Sequence, residues 1–398
     1  MAENICLARK ENIVNKIQGE AKLTFMEATS IIVGHGVGAG ILSVPYLASR
    51  NSWRDIIILL VVCYCINLIM HLMIAELSYN NGGAQFIKCI EAELFKGKVK
   101  QIVTWTAFGF LGLSVLSNVV GFITGGGAVL TAWLGIPGWL GMVIYYDIAA
   151  LVVLFGMKLV GICEKISVFA MVGVMGVLFV ATLVNEHTGF VNTFRAGSNI
   201  VALYSMIAFS LSAVMSVPQV VKGLEGNPGK VRASIACGTG INVGLIILIT
   251  FMTLFACGDN VTGDGALVDL SAKLGGWVGI VGFIFSLLAL STSFWANTLN
   301  LRDIINEQTK WGTRVSYLVS SLPCLVIAMF GFSNFVGFTR IASVIQVLTG
   351  IGIICAYHNT RKKAGKSEIC GRFGTLPFQI LVCVSSVLAT VGALAKVL

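Results

Sequence analysis

The sequence predicts an all-α polytopic membrane protein with about eleven transmembrane helices. Of its 398 residues, 56% are hydrophobic and 11% are charged, and the mean hydropathy is +0.89. Soluble domains contain about 25% charged residues. The apolar stretches have membrane-spanning length and are apolar on every face, which excludes a barrel of alternating strands. We therefore expect an integral protein of the plasma membrane, the inner membrane of the cell, with the lipid bilayer as its surroundings.

The predicted spans, numbered 1 to 11 in chain order, are separated by loops too short to hold a soluble domain. They cover residues 24–49, 54–79, 101–131, 138–156, 161–184, 198–221, 231–256, 274–299, 313–331, 333–357 and 373–397. The corresponding organisation is an N-terminal tail, a first five-helix repeat, a second five-helix repeat and a final helix, at residues 1–23, 24–184, 198–357 and 373–398.

The net charge of +9 indicates orientation in the membrane, and we expect no nucleic-acid partner. Of the 27 lysines and arginines, 21 lie on the side of the N-terminus and five on the other side. This asymmetry predicts a cytoplasmic N-terminus. Residues 1–23 have mixed charge, unlike a cleaved signal peptide, and are expected to form an uncleaved cytoplasmic tail.

Span 1 contains a heptapeptide that weakens its helix, GHGVGAG at residues 34–40. Each glycine costs about 1 kcal/mol relative to alanine in a helix interior. Two interpretations fit the glycines alone. One is close packing against a neighbouring helix through small residues. The other is an unwound hinge whose freed backbone groups line a solute site at the middle of the membrane.

A second weak segment, SMIAFSLSAVMSVPQ at residues 205–219, favours the hinge. It combines four serines with Phe209 and ends in Pro218. Spans 1 and 6 are five helices apart. Interrupted helices at matching positions of two five-helix halves are expected of an inverted-repeat transporter. The sequence therefore predicts a five-plus-five inverted repeat with broken spans 1 and 6.

Three blocks resemble one transporter family. GHGVGAGILSVPYLAS (34–49) is similar to the first helix of the amino acid/auxin permease family and of the related bacterial aromatic amino acid permeases. SVPQVVKGLEGNPGKVRASI (216–235) and STSFWANTLNLRDIINEQ (291–308) resemble that family's sixth-helix exit and eighth helix. The resemblance places the chain in the amino acid/polyamine/organocation superfamily and implies the leucine-transporter fold, with span 11 as an addition.

The resemblance also implies a substrate site between the two breaks. Backbone amides at Gly38, Ala39 and Gly40 would bind a substrate carboxylate, since the start of a half-helix attracts anions. Carbonyls near Ala208 and Phe209 would meet the amino group, and Phe209 would form part of a gate. His35, Gly36 and Ser210 complete the expected site, together with Ser114 and Asn118, which share one face of span 3.

A cation site follows from the same resemblance. Its expected ligands are helix-one carbonyls and residues of the eighth helix, namely Gly34, Val37, Ala289, Thr292 and Ser293. Five oxygens at that spacing suit sodium, but many relatives use protons, so the coupling ion stays open between H⁺ and Na⁺. No other cofactor or metal is expected.

Ionisable residues within the spans are further candidates for coupling, because each is costly when unpaired in hydrocarbon. His35 replaces the small or hydroxyl residue usual in the family and is either a proton carrier or a partner for a freed carbonyl. Asp147 in span 4 is a second candidate for ion coupling, and an ion pair with Arg340 of span 10 is its structural alternative. The less favoured candidates, expected near span ends, are Glu27, His71 and Glu76.

These observations favour a transporter over an enzyme. The metalloprotease motif H-E-x-x-H, the hydrolase motif G-x-S-x-G and the phosphate-binding motif G-x-x-x-x-G-K do not occur in the sequence. We predict a secondary active permease, a symporter that imports a neutral amino acid by alternating access, with an aromatic amino acid as the narrower option. The alternative is a membrane sensor that binds the same ligand without appreciable flux. The sequence leaves the oligomeric state open.

Overall fold

The computed structural model describes residues 22–94, 97–185, 189, 199–258, 260–263, 265–332, 335–365 and 367–394, with the backbone alone at 39, 98 and 335–349. Regular structure in these ranges is entirely helical. The predicted tail is outside them except for its last two residues, as is the Arg340 side chain.

The first repeat runs from a broken helix to a long one. Span 1 comprises helix Phe25–Val37, the 3₁₀ helix Ala39–Ser43 and helix Val44–Ser49. The other four spans are Trp53–Asn80, Gly97–Leu134, Gly138–Leu154 and Met157–Val184, and the short helix Phe86–Glu93 lies between spans 2 and 3.

The second repeat has the same order of elements. Span 6 comprises helix Ile200–Ser210, the 3₁₀ helix Val214–Ser216 and helix Val217–Gly223. Spans 7 to 10 are Pro228–Cys257, Trp277–Thr309, Thr313–Met329 and Phe335–Ala364, with the short helix Ala266–Leu274 between spans 7 and 8. After the 3₁₀ helix Gly371–Gly374, span 11 runs over Leu376–Leu394. The fourth span of each half is a helix of 17 residues.

Apolar helix length agrees with a polytopic membrane protein. Among the described residues, seven helices are long and apolar enough to cross a membrane, or eight if the two parts of span 1, bent by 46°, form one crossing. Spans 4 and 9 are shorter apolar helices, and span 10 has 30 helical residues. Helical elements therefore occupy all eleven predicted positions.

The two broken spans resume their helices in the same way. Each 3₁₀ helix ends at a serine that is followed by valine and proline, at residues 43–45 and 216–218. The backbone angles of the two serines nearly coincide, with φ −93° and ψ −16° at Ser43 and φ −86° and ψ −13° at Ser216. Proline suits the first turn of a helix because its missing N–H is not needed there. The Ser-Val-Pro tripeptide thus marks the same structural position in each half.

Polar contacts join the spans at the end of the bundle where span 1 begins. Lys158 of span 5 forms an ion pair of 2.6 Å with Glu27 of span 1, and Lys222 of span 6 forms one of 3.0 Å with Glu307 of span 8. The Leu23 amide donates to the carbonyl of Gly223. The first turns of span 1 are therefore fixed to spans 5 and 6.

Glu76 holds the segment between spans 10 and 11. Its carboxylate accepts hydrogen bonds from the Ser367 hydroxyl at 2.6 Å and from the Tyr357 hydroxyl at 3.2 Å. The backbone amides of Glu368 and Cys370 also donate to it. These bonds satisfy a buried carboxylate and assign Glu76 a structural role.

Candidate substrate and ion site between the broken helices

The break in span 1 falls at Gly38. Its backbone angles, φ 6° and ψ 179°, interrupt the helix that ends at Val37, and a 3₁₀ helix begins at Ala39. The first N–H groups of a helix have no partner within it. A side chain at Gly38 would place its Cβ 3.3 Å from the Ser293 hydroxyl oxygen. The break is therefore a narrow stretch of backbone at the start of a 3₁₀ helix, where a bulky side chain at position 38 would approach Ser293.

The break in span 6 occupies Leu211 to Ala213, between the helix ending at Ser210 and the 3₁₀ helix at Val214. The carbonyl of Phe209 accepts a hydrogen bond from the Ser212 amide at 3.1 Å. The Ala213 amide donates to Nε2 of His71 in span 2 at 3.0 Å. A side chain from another span thus satisfies part of the interrupted backbone.

The two breaks lie against each other. A Cβ on Gly40 would be 2.8 Å from Cδ1 of Phe209 and 2.9 Å from the Ser210 hydroxyl. On Gly36 it would be 3.2 Å from the Ser210 carbonyl and would overlap the amide of Asn242 in span 7. These glycines are needed for the close approach, so the segment both packs closely and interrupts the helix. That its backbone lines a solute site stays a prediction.

A histidine also links the two broken spans. Nδ1 of His35 lies 2.7 Å from the Ser216 hydroxyl. Along the chain, His35 precedes the break in span 1 and Ser216 follows the break in span 6. The imidazole therefore has a hydroxyl partner from the opposite repeat, which the sequence analysis did not anticipate.

The remaining predicted residues of span 6 differ in exposure. The Phe209 side chain is 41% exposed although most of the helix is buried, and Ala208 is half-buried. The Ser210 hydroxyl is buried and donates to the carbonyl of Met206 at 2.9 Å. Phe209 is thus the apolar side chain most accessible at the meeting of the breaks.

The predicted cation ligands of spans 1 and 8 are joined by a hydrogen bond. The Thr292 hydroxyl, fully buried, lies 2.9 Å from the Gly34 carbonyl and 3.0 Å from the Ala289 carbonyl. The Ser293 hydroxyl is buried and has no hydrogen-bond partner among the described residues. Val37, the remaining expected ligand, is fully buried in span 1.

Span 5 adds a carboxyl group that the sequence analysis missed. Glu164 is fully buried, and neither of its carboxyl oxygens has a hydrogen-bond partner within the described part of the chain. A Cβ on Gly34 would overlap that carboxyl and would lie 2.9 Å from Cβ of Thr292. Spans 1, 5 and 8 therefore converge at Gly34. A single acidic residue within an apolar stretch is the sequence feature that could have indicated Glu164. The predicted span 5 began at residue 161, so Glu164 was expected close to the end of the span and not inside it.

Three predicted residues are on spans 3 and 4. Ser114 is buried and Asn118 half-buried in span 3, which packs against spans 8 and 10. Asp147 is exposed on span 4. His71 was expected near the end of a span, but it is fully buried. It lies well inside the helix Trp53–Asn80 and faces the break in span 6.

Paired interrupted helices in two similar five-helix halves define a membrane transporter with an inverted repeat. Solved structures show the same fold. The chain is similar to MhsT in complex with L-phenylalanine, with 12% identity and a TM-score of 0.72 over 94% of this chain and all of that one. It is also similar to Mhp1, a nucleobase-cation-symport-1 family transporter in a closed conformation with bromovinylhydantoin bound, with 15% identity and a TM-score of 0.63 over 94% and 91% of the chains.

A mutant manganese transporter from Eremococcus coleocola matches with 10% identity and a TM-score of 0.60 over 95% and 89% of the chains. No curated protein sequence matches the chain. The model of the tryptophan/tyrosine permease family matches residues 21–390. The chain belongs to this family and is a transporter. The match to the tryptophan/tyrosine permease family confirms the predicted likeness to bacterial aromatic amino acid permeases. Membership of the amino acid/auxin permease family and of the wider superfamily stays a prediction.

Proposed function

We propose that the chain is a secondary active transporter that imports a neutral aromatic amino acid through the plasma membrane by alternating access. The meeting of the two breaks supports this function most directly. A Cβ added at Gly40 would come within 3.0 Å of Phe209 and Ser210, so the start of one interrupted helix lies next to the carbonyl end of the other. A zwitterion presents a carboxylate and an ammonium group, which require these two opposite kinds of partner.

In the proposed site, amides at Gly38, Ala39 and Gly40 bind the carboxylate, because the start of a helix is an anion site. Carbonyls at Ala208 and Phe209 accept hydrogen bonds from the ammonium group. The Phe209 carbonyl already accepts one bond from Ser212, but a carbonyl oxygen has two lone pairs. His35, Gly36 and Ser210 line the same region, and Ser114 and Asn118 stay candidates from span 3.

An aromatic substrate agrees with the side chain at the junction. The accessible ring of Phe209 offers an edge-to-face or offset-stacked contact, worth about 0.5–1.5 kcal/mol beyond its buried area. The name of the family refers to tryptophan and tyrosine, and the structure of MhsT was solved in complex with L-phenylalanine. We therefore expect tryptophan, tyrosine and phenylalanine to compete for one site.

We propose that the coupling cation occupies the convergence of spans 1, 5 and 8, and favour a proton over sodium. Glu164 supplies a buried carboxyl group with no hydrogen-bond partner among the described residues, and an ionised carboxylate without a bound cation would be costly in such a site. Gly34 adjoins Glu164, and its carbonyl accepts a hydrogen bond from Thr292. Ser293, Val37 and Ala289 are the further expected ligands. Asp147 stays a secondary coupling candidate because it is exposed on span 4.

The test is uptake of radiolabelled amino acids into proteoliposomes. Proton and sodium gradients are imposed separately and together, and the panel includes aromatic, aliphatic, acidic and basic amino acids. We expect concentrative uptake of aromatic amino acids under an inward proton gradient, abolished when a protonophore dissipates it. Uptake that requires sodium would identify sodium, and not a proton, as the coupling ion. Saturable binding without flux under any gradient would favour the sensor and contradict the proposed function.

A further inference from the structure

A buried imidazole from span 2 fixes the backbone of the span 6 break. Nε2 of His71 accepts a hydrogen bond of 3.0 Å from the amide of Ala213. Both residues are fully buried. A backbone amide can only donate, so Nε2 must be unprotonated and the proton of the neutral ring is on Nδ1. The observed break is therefore compatible with only one tautomer of one protonation state.

The other ring nitrogen has no competing bond. Nδ1 of His71 is buried without a hydrogen-bond partner among the described residues. The ring is thus held to Ala213 through a single bond. A second proton, on Nε2, would turn the acceptor into a donor directed at another donor, and the amide would lose its partner. A protonated His71 and the observed break exclude each other.

The charges around His71 do not supply a counter-ion for a protonated ring. His35, which is bonded to Ser216, is close enough to act on it electrostatically. Other titratable groups lie on the elements packed against span 2. None of those in the described ranges is hydrogen-bonded to His71, because Nε2 is bonded to Ala213 and Nδ1 has no partner there. These groups include Cys63 and Glu76 on span 2 itself, Cys89 and Glu93 on the helix 86–93, Tyr204 and Lys222 on span 6, Arg232 and Cys237 on span 7, Tyr357 and His358 on span 10, Arg372 after span 10 and Cys383 on span 11. Glu76 is engaged by the segment after span 10.

We propose that neutral His71 is a positioning residue that holds the span 6 break in its binding geometry, and that protonation of His71 releases it. The inference rests on the proposed function, since the break is where the ammonium group of the substrate would bind. Thermodynamic linkage is reciprocal: if protonation of His71 lowers the affinity for substrate, bound substrate lowers the affinity of His71 for a proton by the same factor. The inference holds for either coupling ion.

The direct test is the pH profile of tryptophan binding to purified protein. Wild type is expected to bind at neutral pH and to lose affinity as the pH falls. His71→Gln offers an amide oxygen to Ala213 but does not titrate, so it should bind without that loss. His71→Leu removes the acceptor and should bind about tenfold or more weakly at every pH, because a buried amide is left unpaired.

The matched control is His358→Gln, since His358 on span 10 bonds instead to Gln379. It should keep the wild-type profile. An acid-side loss in His71→Gln equal to that of wild type would overturn the inference, as would wild-type affinity in His71→Leu. Absence of binding by wild type at any pH, for every amino acid tested, would overturn the proposed function.

Hydrogen exchange measured by mass spectrometry separates these two failures, because it needs no substrate. In a peptide covering residues 205–219, we expect faster exchange in His71→Leu than in wild type, and wild-type exchange in His71→Gln. In wild type alone, protection of this peptide should fall at acidic pH after correction for the intrinsic rate. Equal protection at both pH values would contradict the release of the break, whether or not the protein folds with leucine at position 71.

Discussion

Replacing Gly40 with alanine tests the contact between the two breaks. The new Cβ would be 2.8 Å from Cδ1 of Phe209 and 2.9 Å from the Ser210 hydroxyl, whereas carbon atoms pack at about 3.5–4.0 Å. The Phe209 ring is partly exposed, so it can turn aside without unfolding the bundle. Overpacking of this kind costs about 1–3 kcal/mol of stability, and the part of that cost that falls on the substrate-binding conformation weakens binding, by up to about 150-fold.

The assay is equilibrium binding of radiolabelled tryptophan to purified protein, with helix content and thermal unfolding measured alongside. Gly173→Ala is the matched control, since no atom lies within 4 Å of its added Cβ on span 5. Phe209→Ala should weaken binding by itself and should make the further cost of Gly40→Ala smaller. Unchanged affinity in Gly40→Ala would refute the proposed contact between the glycine and the ring. An equal loss of affinity from Gly40→Ala in wild type and in Phe209→Ala would also refute it.

Three further predictions concern the contacts around the site. Thr292→Val should reduce ion-driven uptake more than substrate exchange, because it removes the hydroxyl at the proposed cation site; an equal loss in both assays would contradict a role in coupling. Glu164→Gln should leave substrate exchange measurable and abolish accumulation against a gradient, and wild-type accumulation would show that the carboxyl carries no coupling charge. Lys222→Met should destabilise the end of the bundle where span 1 begins by about 1–3 kcal/mol, because the half-buried Glu307 loses its ion pair while it keeps the hydrogen bond from the Gln85 amide, and the double variant with Glu307→Gln should recover part of it in thermal unfolding.

The sequence predicts the spans and the first break for local reasons. Long apolar runs require helices in hydrocarbon, and four glycines within residues 34–40 weaken the helix at that point. The sequence predicts the second break only to within residues 205–219, and the structure places it at Leu211 to Ala213. The finer position is not predictable because serines alone do not define where a helix stops. The repeated Ser-Val-Pro at residues 43 and 216 was an available signal for the correspondence between the two halves.

The contacts that give the site its chemistry depend on tertiary packing. His71 is 142 residues from Ala213 along the chain, and Glu164 meets Gly34 only because spans 1, 5 and 8 converge. Hydropathy indicates that a polar residue is within a span but not which neighbour it faces. The proposal of Glu164 as a coupling residue therefore required the fold, whereas Thr292 and Gly34 were expected from the family resemblance, and the fold joins them by a hydrogen bond.

The central claim is that an amino acid binds at the break of span 1. Equilibrium binding of radiolabelled tryptophan to Gly38→Leu tests it most directly, with Gly173→Leu as the control. A side chain at Gly38 would start 3.3 Å from the Ser293 hydroxyl and fill the space beside the amides at the start of the 3₁₀ helix, whereas the position at Gly173 is open. We predict saturable binding in wild type and Gly173→Leu and none in a folded Gly38→Leu protein. Wild-type affinity in folded Gly38→Leu would contradict the claim.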